Sequence, residues 1–381
     1  MATRRNERIA LSILLAFLAG ASGLRAQDPE EEGRGSAERV VPTNFFVISG
    51  YGTVGYFTRT QGERINAFTA SFAPVFLFQF QDRILFEAEL EFEIEDGVTQ
   101  TGLEYASLDY VASDNITLVA GKFLVPFGVF GERIHPSWIN KFPSSPPIYG
   151  HESTGFGASP LMPVLADVGV MGRATMTPGP WQVSVNGYVT QGPALEVHDE
   201  EEEGDPDGDG FEAPGFGFPA SSSDNNVGKM PGMRLDIALP PWFEVNGSFF
   251  NGDYDEQGVL DVTGWNLAAE FRHRRFEVRG EYMQIRQEVE QFAGFQTLRR
   301  SGFYTQASYR TGRWEPVLRW TQIFDDQLEG AVTNRGAWQA GFALDYWVAP
   351  SVAVMAGYEL NRESGIELDN DRLIVHLAFG Y

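Results

Sequence analysis

The feature that most constrains the fold is a run of alternating side chains at residues 83–95. Its even positions are all apolar. Its odd positions are charged except Leu85, and they are Arg83, Glu87, Glu89, Glu91, Glu93 and Glu95. Successive side chains of a β-strand point to opposite faces, so this run would have one apolar face and one acidic face. A helix would spread both sets around its circumference. The run therefore predicts a strand between an apolar and an aqueous environment.

The same alternation returns along the chain. One face of the preceding stretch would carry Phe68, Ala70, Phe72, Pro74, Phe76, Phe78 and Phe80, and one face of the last strand Leu373, Val375, Leu377, Phe379 and Tyr381. A single strand of this kind would also fit a half-buried sheet in a soluble protein. Repeated along a whole chain, such strands are typical of a transmembrane β-barrel with lipid outside and water inside. We predict an all-β fold, a transmembrane antiparallel β-barrel over residues 45–381.

Turn signals divide this region into about sixteen strands, and an even number leaves both chain ends on the periplasmic side of a barrel. Short connections such as Gln81-Asp82 and Pro240-Pro241 alternate with longer ones. The longest interruption, at about 125–165, is rich in Pro, Gly and Ser and follows the fifth strand. It is the third long loop, and a loop of this length usually has a function.

The first residues have the pattern of a secretory signal. Arg4, Arg5 and Arg8 precede an apolar run at 9–18 that is too short to span a bilayer as a helix. We predict a signal peptide at 1–26 and a mobile periplasmic segment at 27–44. The chain has no cysteine, in keeping with an oxidising compartment, and its net charge of −24 argues against a nucleic-acid partner.

Strand parity assigns a set of charged residues to the lumen. They include Arg83, Glu87, Glu89, Glu91, Glu93, Arg173, Arg234, Asp236, Glu270, Arg272, Glu277, Arg279, Glu281, Arg310 and Arg319. A charge facing lipid at the bilayer midplane would cost about 2–4 kcal/mol, so charges belong in the lumen whatever passes through it. Two interpretations stay open. The charges form a hydrated wall paired across strands, or an acidic and a basic wall create a transverse field that orients solutes.

The long loop contributes further candidates. Lys122 stands at its root, and Glu132, Arg133 and Lys141 follow within it. We interpret the loop as an inserted constriction, with an ordinary surface loop as the alternative. Its two histidines have no cysteine and no ligand-like spacing, so we predict no catalytic residue, no metal site and no cofactor.

An acidic stretch carries half of a calcium-binding loop. Asp205, Asp207 and Asp209 occupy positions 1, 3 and 5, and Gly210 occupies position 6. Position 12 would be Phe216 instead of glutamate. The stretch is either a weak calcium contact or a solvated acidic loop that shares divalent ions with lipopolysaccharide phosphates.

The signal, the alternating strands and the terminal Tyr381 together resemble a Gram-negative outer-membrane porin. More narrowly, residues 86–93, 120–128 and 132–141 resemble the phosphate-selective porin O/P-like family. The resemblance implies a sixteen-stranded barrel, usually a homotrimer, with the third extracellular loop folded into the pore. It also implies a cell outer membrane location among lipid and lipopolysaccharide, and insertion by the barrel-assembly machinery. Anion-specific members line their channel with arginines and lysines, whereas the glutamate row at 83–95 argues against phosphate as the cargo here.

The expected function is therefore passive diffusion of small polar solutes and ions, with anions such as phosphate the class that the resemblance implies. Two alternatives stay open: a hydrolase built on a barrel, and a structural barrel plugged by its own loops. No Gly-x-Ser-x-Gly nucleophile motif occurs, which argues against the hydrolase.

Overall fold

The fold is described from a computed structural model. The described residues are 44–61, 63–95, 98–150, 156–195, 215–219, 228–291, 294–365 and 368–381. The predicted signal peptide, residues 27–43, and the calcium candidates Asp205, Asp207 and Asp209 lie outside them.

Sixteen long strands run through the described residues. They are β1 (Phe45–Gln61), β2 (Glu63–Phe80), β3 (Ile84–Glu95), β4 (Val98–Ser113), β5 (Ile116–Leu124), β6 (Ala166–Met176), β7 (Gln182–Thr190), β8 (Met230–Leu239), β9 (Phe243–Asp253), β10 (Asp261–His273), β11 (Phe276–Gln291), β12 (Gly294–Tyr309), β13 (Trp314–Ile323), β14 (Ala337–Ala349), β15 (Val352–Glu363) and β16 (Arg372–Gly380).

Every long strand pairs antiparallel with the next one in the sequence. The first strand also pairs with the last, from Tyr51 opposite Gly380 to Arg59 opposite Arg372. This pairing closes the sheet, so no long strand keeps an open edge. The predicted antiparallel barrel of about sixteen strands is confirmed.

The strands bury one face and expose the other, as the alternation predicts. On β3, Phe86 is 40% exposed and Phe92 38%, whereas Glu89 between them is 2% exposed. The apolar row therefore faces outward and the glutamate row faces the interior of the barrel, which we call the bore. The same division holds on β13, where Leu318 is 55% exposed and Arg319 3%.

Short turns join the strands at one end of the barrel. The turn between β12 and β13 closes at Gly312, whose φ of 62° lies in the left-handed region that glycine adopts without strain. Phe45 of β1 pairs with Gln79 of β2 just before the short turn at 81–83, so the barrel begins at this same end.

Small elements occupy the longer connections. Ala194–Leu195 pairs with Phe216–Gly217, and Gln327–Leu328 pairs with Ala331–Val332. After β5 come a π-helical turn, Phe130–Ile134, and one α-helical turn, α1. The turn α1 spans Ser137–Asn140. Among the described residues, no helix is both long and apolar enough to cross a membrane.

The outward orientation of the apolar face of β3 can be tested by substitution. Leu90→Arg places a charge on the outer face near the middle of the strand, and we expect it to destabilise the barrel by about 2–4 kcal/mol in lipid. The neighbouring Glu91→Arg change points into the bore and should cost much less. Urea unfolding in lipid vesicles measures both variants, and equal losses of stability would contradict the assigned faces.

Candidate functional site

The stretch 125–149, here called the bore segment, packs against bore-facing side chains. Its Phe127 ring meets Phe250 of β9 edge-on, with ring centroids 4.8 Å apart. Its Phe130 meets Tyr304 of β12 at 6.3 Å in the same manner. Phe130 is fully buried, and Ile148 and other apolar residues of the segment belong to the same cluster. An apolar contact of this extent fixes the segment to the β9–β12 side of the barrel.

Glu281 of β11 is the first polar anchor of the bore segment. Its carboxylate accepts the backbone N–H groups of Val129 at 2.9 Å and Phe130 at 2.8 Å. The hydroxyls of Tyr149 and Tyr304 donate to it as well, each at 2.9 Å. Glu281 is 4% exposed, so the buried carboxylate has its acceptor capacity filled by donors from both the segment and the wall.

Arg319 of β13 is the second anchor. Its guanidinium donates to the Ser144 carbonyl at 2.7 Å and to the Ser144 hydroxyl oxygen at 2.6 Å. It pairs with Glu359 of β15 at 3.0 Å and lies over the Phe142 ring at 3.9 Å. The Arg319 and Glu359 side chains are fully buried, so the pair is shielded from solvent and ties the segment to two strands.

The end of α1 is held by a third set of contacts. Arg279 donates to the Asn140 carbonyl, and Gln306 donates to the same oxygen at 2.6 Å. Lys141 pairs with Glu277 at 2.9 Å and with Glu315 at 3.1 Å. Lys141 is therefore a paired anchor of the bore segment.

A cluster of six charged groups holds the middle of the segment. Its members are Glu132, Arg133, Arg173, Arg234, Asp236 and Glu244. Arg234 lies 2.6 Å from Glu132 and 3.0 Å from Asp236, and Arg133 lies 2.7 Å from Asp236. Arg133 also pairs with Glu244, and Arg173 lies 3.6 Å from Glu132. Three carboxylates face three guanidinium groups, so the cluster is neutral as a whole.

This environment changes the acidity of Glu132. Burial alone would raise the pKa of its carboxyl, but Arg234, Arg133 and Arg173 outweigh burial and lower the pKa to about 2. Glu132 therefore stays ionised at any physiological pH.

Beside the bore segment lies a cavity of about 520 Å³. One side is formed by bore-facing residues of β1 to β6, including Tyr51, Leu77, Glu87 and Asp109. The other side is formed by residues 132–138 of the segment. The segment thus fills the β8–β15 side of the bore and leaves open space on the opposite side.

One contact crosses the cavity edge from the segment to the wall. The Tyr51 hydroxyl lies 2.6 Å from Glu89 Oε1 and 2.9 Å from His135 Nε2. His135 Nδ1 lies 2.6 Å from the Gly131 carbonyl oxygen, an arrangement that requires a proton on Nδ1. Burial lowers the pKa of His135 to about 4, which the Gly131 bond only partly opposes. Neutral His135 offers Nε2 as an acceptor, so two acceptors compete for the Tyr51 hydroxyl hydrogen.

The remaining predicted residues are spread over several places. Glu91 and Glu93 share the bore-facing parity of Glu89 on β3. Arg83 is exposed in the turn before β3, at the rim and not on the strand. Arg272, whose side chain is 59% exposed, is one residue from the end of β10 and pairs with Glu277 at 3.3 Å.

Lys122 does not line the bore. It shares the parity of Ile116 and Leu118, which are 46% and 49% exposed on the outer face of β5. Its Nζ donates to the Leu103 carbonyl at 2.6 Å. Lys122 therefore belongs to the outside of the barrel, which corrects its predicted place at the constriction.

Sequence reasoning did not identify Glu281 and Glu359 as anchors. Alternation placed Glu281 in the lumen with many other charges, but nothing in the sequence distinguished it from them. Its partners, Val129, Tyr149 and Tyr304, come from a distant loop and a neighbouring strand. A carboxylate alternating with apolar bore-facing neighbours, Met283 and Ile285, was the one available signal.

Glu281→Gln should release the start of the π-helical turn. The neutral amide keeps one acceptor oxygen and turns an N–H group toward the existing donors. Loss of a hydrogen bond to a charged group costs about 1.5–3 kcal/mol, so exchange of the Val129 and Phe130 amides should quicken roughly 10–100-fold. Hydrogen–deuterium exchange measures this. Glu87→Gln, which makes no contact with those amides, is the control, and unchanged protection in Glu281→Gln would contradict the anchor.

The lowered pKa of Glu132 predicts that the stability of the fold depends on pH. Its pKa is lower in the folded chain than in the unfolded one, so its ionised form stabilises the fold above pH about 4.5. That contribution disappears as the pH falls toward 2. We expect the wild type to lose more thermal stability between pH 7 and pH 3 than Glu132→Gln does. Glu256→Gln, at an exposed loop position, should behave like the wild type, and parallel curves for all three proteins would refute the ion cluster.

Comparison with known proteins bears on the barrel as a whole. No family model and no curated protein sequence matches the chain. Among solved structures, Salmonella typhi OmpF in complex with daunomycin is similar at a TM-score of 0.58 and 11% identity, covering 89% of this chain and 98% of that one. The anion-selective porin from Comamonas acidovorans is similar at a TM-score of 0.58 and 11% identity, covering 89% of this chain and 100% of that one. The trimer form of OmpT, an outer membrane protein of Vibrio cholerae, is similar at a TM-score of 0.55 and 8% identity, covering 88% of this chain and 99% of that one. The chain thus has the fold of the outer-membrane porins.

Proposed function

We propose that the chain is an outer-membrane porin, a passive diffusion channel for small polar solutes and ions. The observation that carries this proposal is a cavity of about 520 Å³ with charged walls, enclosed by a barrel whose exterior is apolar. Water and solutes need a polar path, and lipid needs an apolar surface, so the two faces suit a channel through a membrane. The porin fold of the solved neighbours supports the same conclusion.

The proposed location is the outer membrane of a Gram-negative cell. In its support, Trp181, Trp242 and Trp314 lie at strand ends and are 42%, 55% and 49% exposed, as expected for an interfacial aromatic belt. The signal peptide at 1–26 would direct the chain out of the cytoplasm. The barrel-assembly machinery would then insert it, reading the terminal aromatic strand, among lipid and lipopolysaccharide.

The bore segment is the proposed constriction, in the role that the third extracellular loop plays in the phosphate-selective porin O/P-like family. Its contacts with Glu281, Arg279 and Arg319 support this assignment, because all three side chains face the bore. The narrower family assignment rests on residues 86–93, 120–128 and 132–141.

A homotrimer is the proposed assembly. Lys122 supports it, because a charged side chain on the outer face is costly against lipid and a subunit contact would cover it. The Vibrio cholerae OmpT neighbour is described in a trimer form.

The hydrolase alternative gains no support from the described residues. His135 bonds the Gly131 carbonyl and Tyr51, and no serine is among its hydrogen-bond partners there. No group of three or more His, Asp or Glu side chains in the described part of the chain is placed to hold a metal ion. The plugged barrel is the stronger rival, because the bore segment packs tightly, and conductance separates it from the porin.

The test is planar-bilayer recording of the purified protein, where we expect stepwise conductance. Ser107 lines the cavity, so Ser107→Trp should reduce the step. Leu108→Trp, one residue along on the outer face, should leave the step unchanged. A membrane that stays sealed would favour the plugged barrel, and equal steps in both variants would remove the cavity from the conduction path.

A further inference from the structure

The charges of the bore are unequally divided between its two sides. On the β8–β15 side, the Arg234, Arg279 and Arg319 side chains are 3%, 4% and fully buried. Each bonds the bore segment: Arg234 donates to Gly128, Arg279 to Asn140 and Arg319 to Ser144. These guanidinium groups are used in holding the segment, so they offer no free positive surface to a passing anion.

The cavity side holds acidic groups that form no salt bridge among the described residues. Glu87, Glu89 and Asp109 line the cavity, and among the described residues none of the three has a cationic nitrogen within 4.0 Å. Glu89 has a hydroxyl donor instead, from Tyr51. Arg133 and Arg173 reach the same cavity, but both belong to the neutral six-member cluster. The net charge of the cavity lining is therefore negative.

The same cavity has an apolar strip. Leu77, Val119, Phe123 and Met171 face the bore there and are 4–5% exposed. The interior wall of a porin is ordinarily polar, so bore-facing apolar side chains are not required by the barrel. The rings of Tyr51, Phe123 and Trp138 add aromatic faces to the lining. Carboxylates, an apolar strip and aromatic rings in one cavity form a surface with two distinct chemistries.

We infer that this cavity takes organic cations, and that it favours protonated amines with an apolar body over anions of the same size. The ammonium group faces Glu87, Glu89 and Asp109, and the body lies on the strip of Leu77, Val119 and Met171. Aromatic rings attract an ammonium group in the same way. The volume of about 520 Å³ is within the range of small-molecule sites. This inference rests on the proposed channel for its physiological meaning, and it names the class of solute that the channel would admit.

The absence of cysteine from the chain allows a direct test that does not need conductance. Ser107→Cys, opposite Glu87 in the β3–β4 pairing, places one thiol in the cavity wall. It is treated at pH 8, in detergent micelles, with a trimethylammonium-ethyl methanethiosulfonate and with the sulfonate of matched size. Ser113→Cys, at the exposed last residue of β4 beside the turn, gives the intrinsic ratio of the two rates.

We expect the cation-to-anion rate ratio at Ser107→Cys to exceed that at Ser113→Cys about tenfold or more, as charged clefts concentrate counter-ions. Adding Glu87→Gln and Asp109→Asn should bring the ratio down to the turn value. Val75→Cys, which lines the same cavity from β2 opposite Glu89, repeats the measurement if the Ser107 variant does not fold. Equal ratios at the cavity and the turn would overturn the inference.

Protection of the same thiol by added ligands tests whether the apolar body of a cation contributes to its binding in the cavity. Phenethylammonium should slow modification of Ser107→Cys more than ethylammonium does, and phenylacetate should not slow it. Equal protection by ethylammonium, or protection by phenylacetate, would overturn the assignment of the ligand class. Labelling selectivity in a protein that gives no bilayer conductance would refute the channel and leave the cation site standing. Bilayer conductance without that labelling selectivity would support the channel and refute the cation site.

Discussion

The closure of β1 onto β16 is the constraint on which the rest of the structure depends. A strand exposed to lipid cannot leave its backbone N–H and C=O groups unpaired, so a sheet in a membrane must return to its first strand. Once the sheet is closed, the two faces of every strand have different surroundings. Period-two alternation then decides which side chain meets lipid and which meets the bore. The apolar belt, the charged interior and the anchoring of the bore segment all follow from this closure.

The interior charges serve two different purposes. On one side, Glu281, Arg319 and Glu359 are buried under the bore segment, and each takes part in several hydrogen bonds. A buried charge without such partners would be strongly destabilising, so these groups require the segment as much as it requires them. On the other side, Glu87 and Asp109 face open space. The position of one loop therefore determines which charges are structural and which remain available to solutes.

Much of the fold could be predicted from the sequence because one local rule governs it. The alternation at 83–95 identified a strand and its faces, and turn residues gave the strand number and the place of the long loop. The same rule failed where geometry departs from it. Arg83 was counted into the strand although the turn includes it, and Lys122 was assigned by its closeness to the loop instead of by the parity of β5.

The candidate site was less predictable, since its contacts join residues far apart in the chain. Arg133 meets Asp236, and Arg319 meets both Ser144 and Glu359. Strand parity places Asp236, Arg319 and Glu359 in the bore, but it does not show which charges form pairs and which remain free. The arginines expected to form a basic wall, Arg234, Arg279 and Arg319, do face the bore, but the bore segment covers them. The apolar strip that includes Leu77 was not predicted, because apolar residues on a bore-facing side depart from the alternation of polar interior and apolar exterior.

The most direct test of the account is the reversal potential of the reconstituted protein across a KCl gradient at pH 8. The account predicts a channel whose free charge is acidic, and hence a reversal potential with the sign of potassium preference. Glu87→Gln combined with Asp109→Asn should move it toward zero. A reversal potential with the sign of chloride preference in the wild type would contradict the division of charges described here.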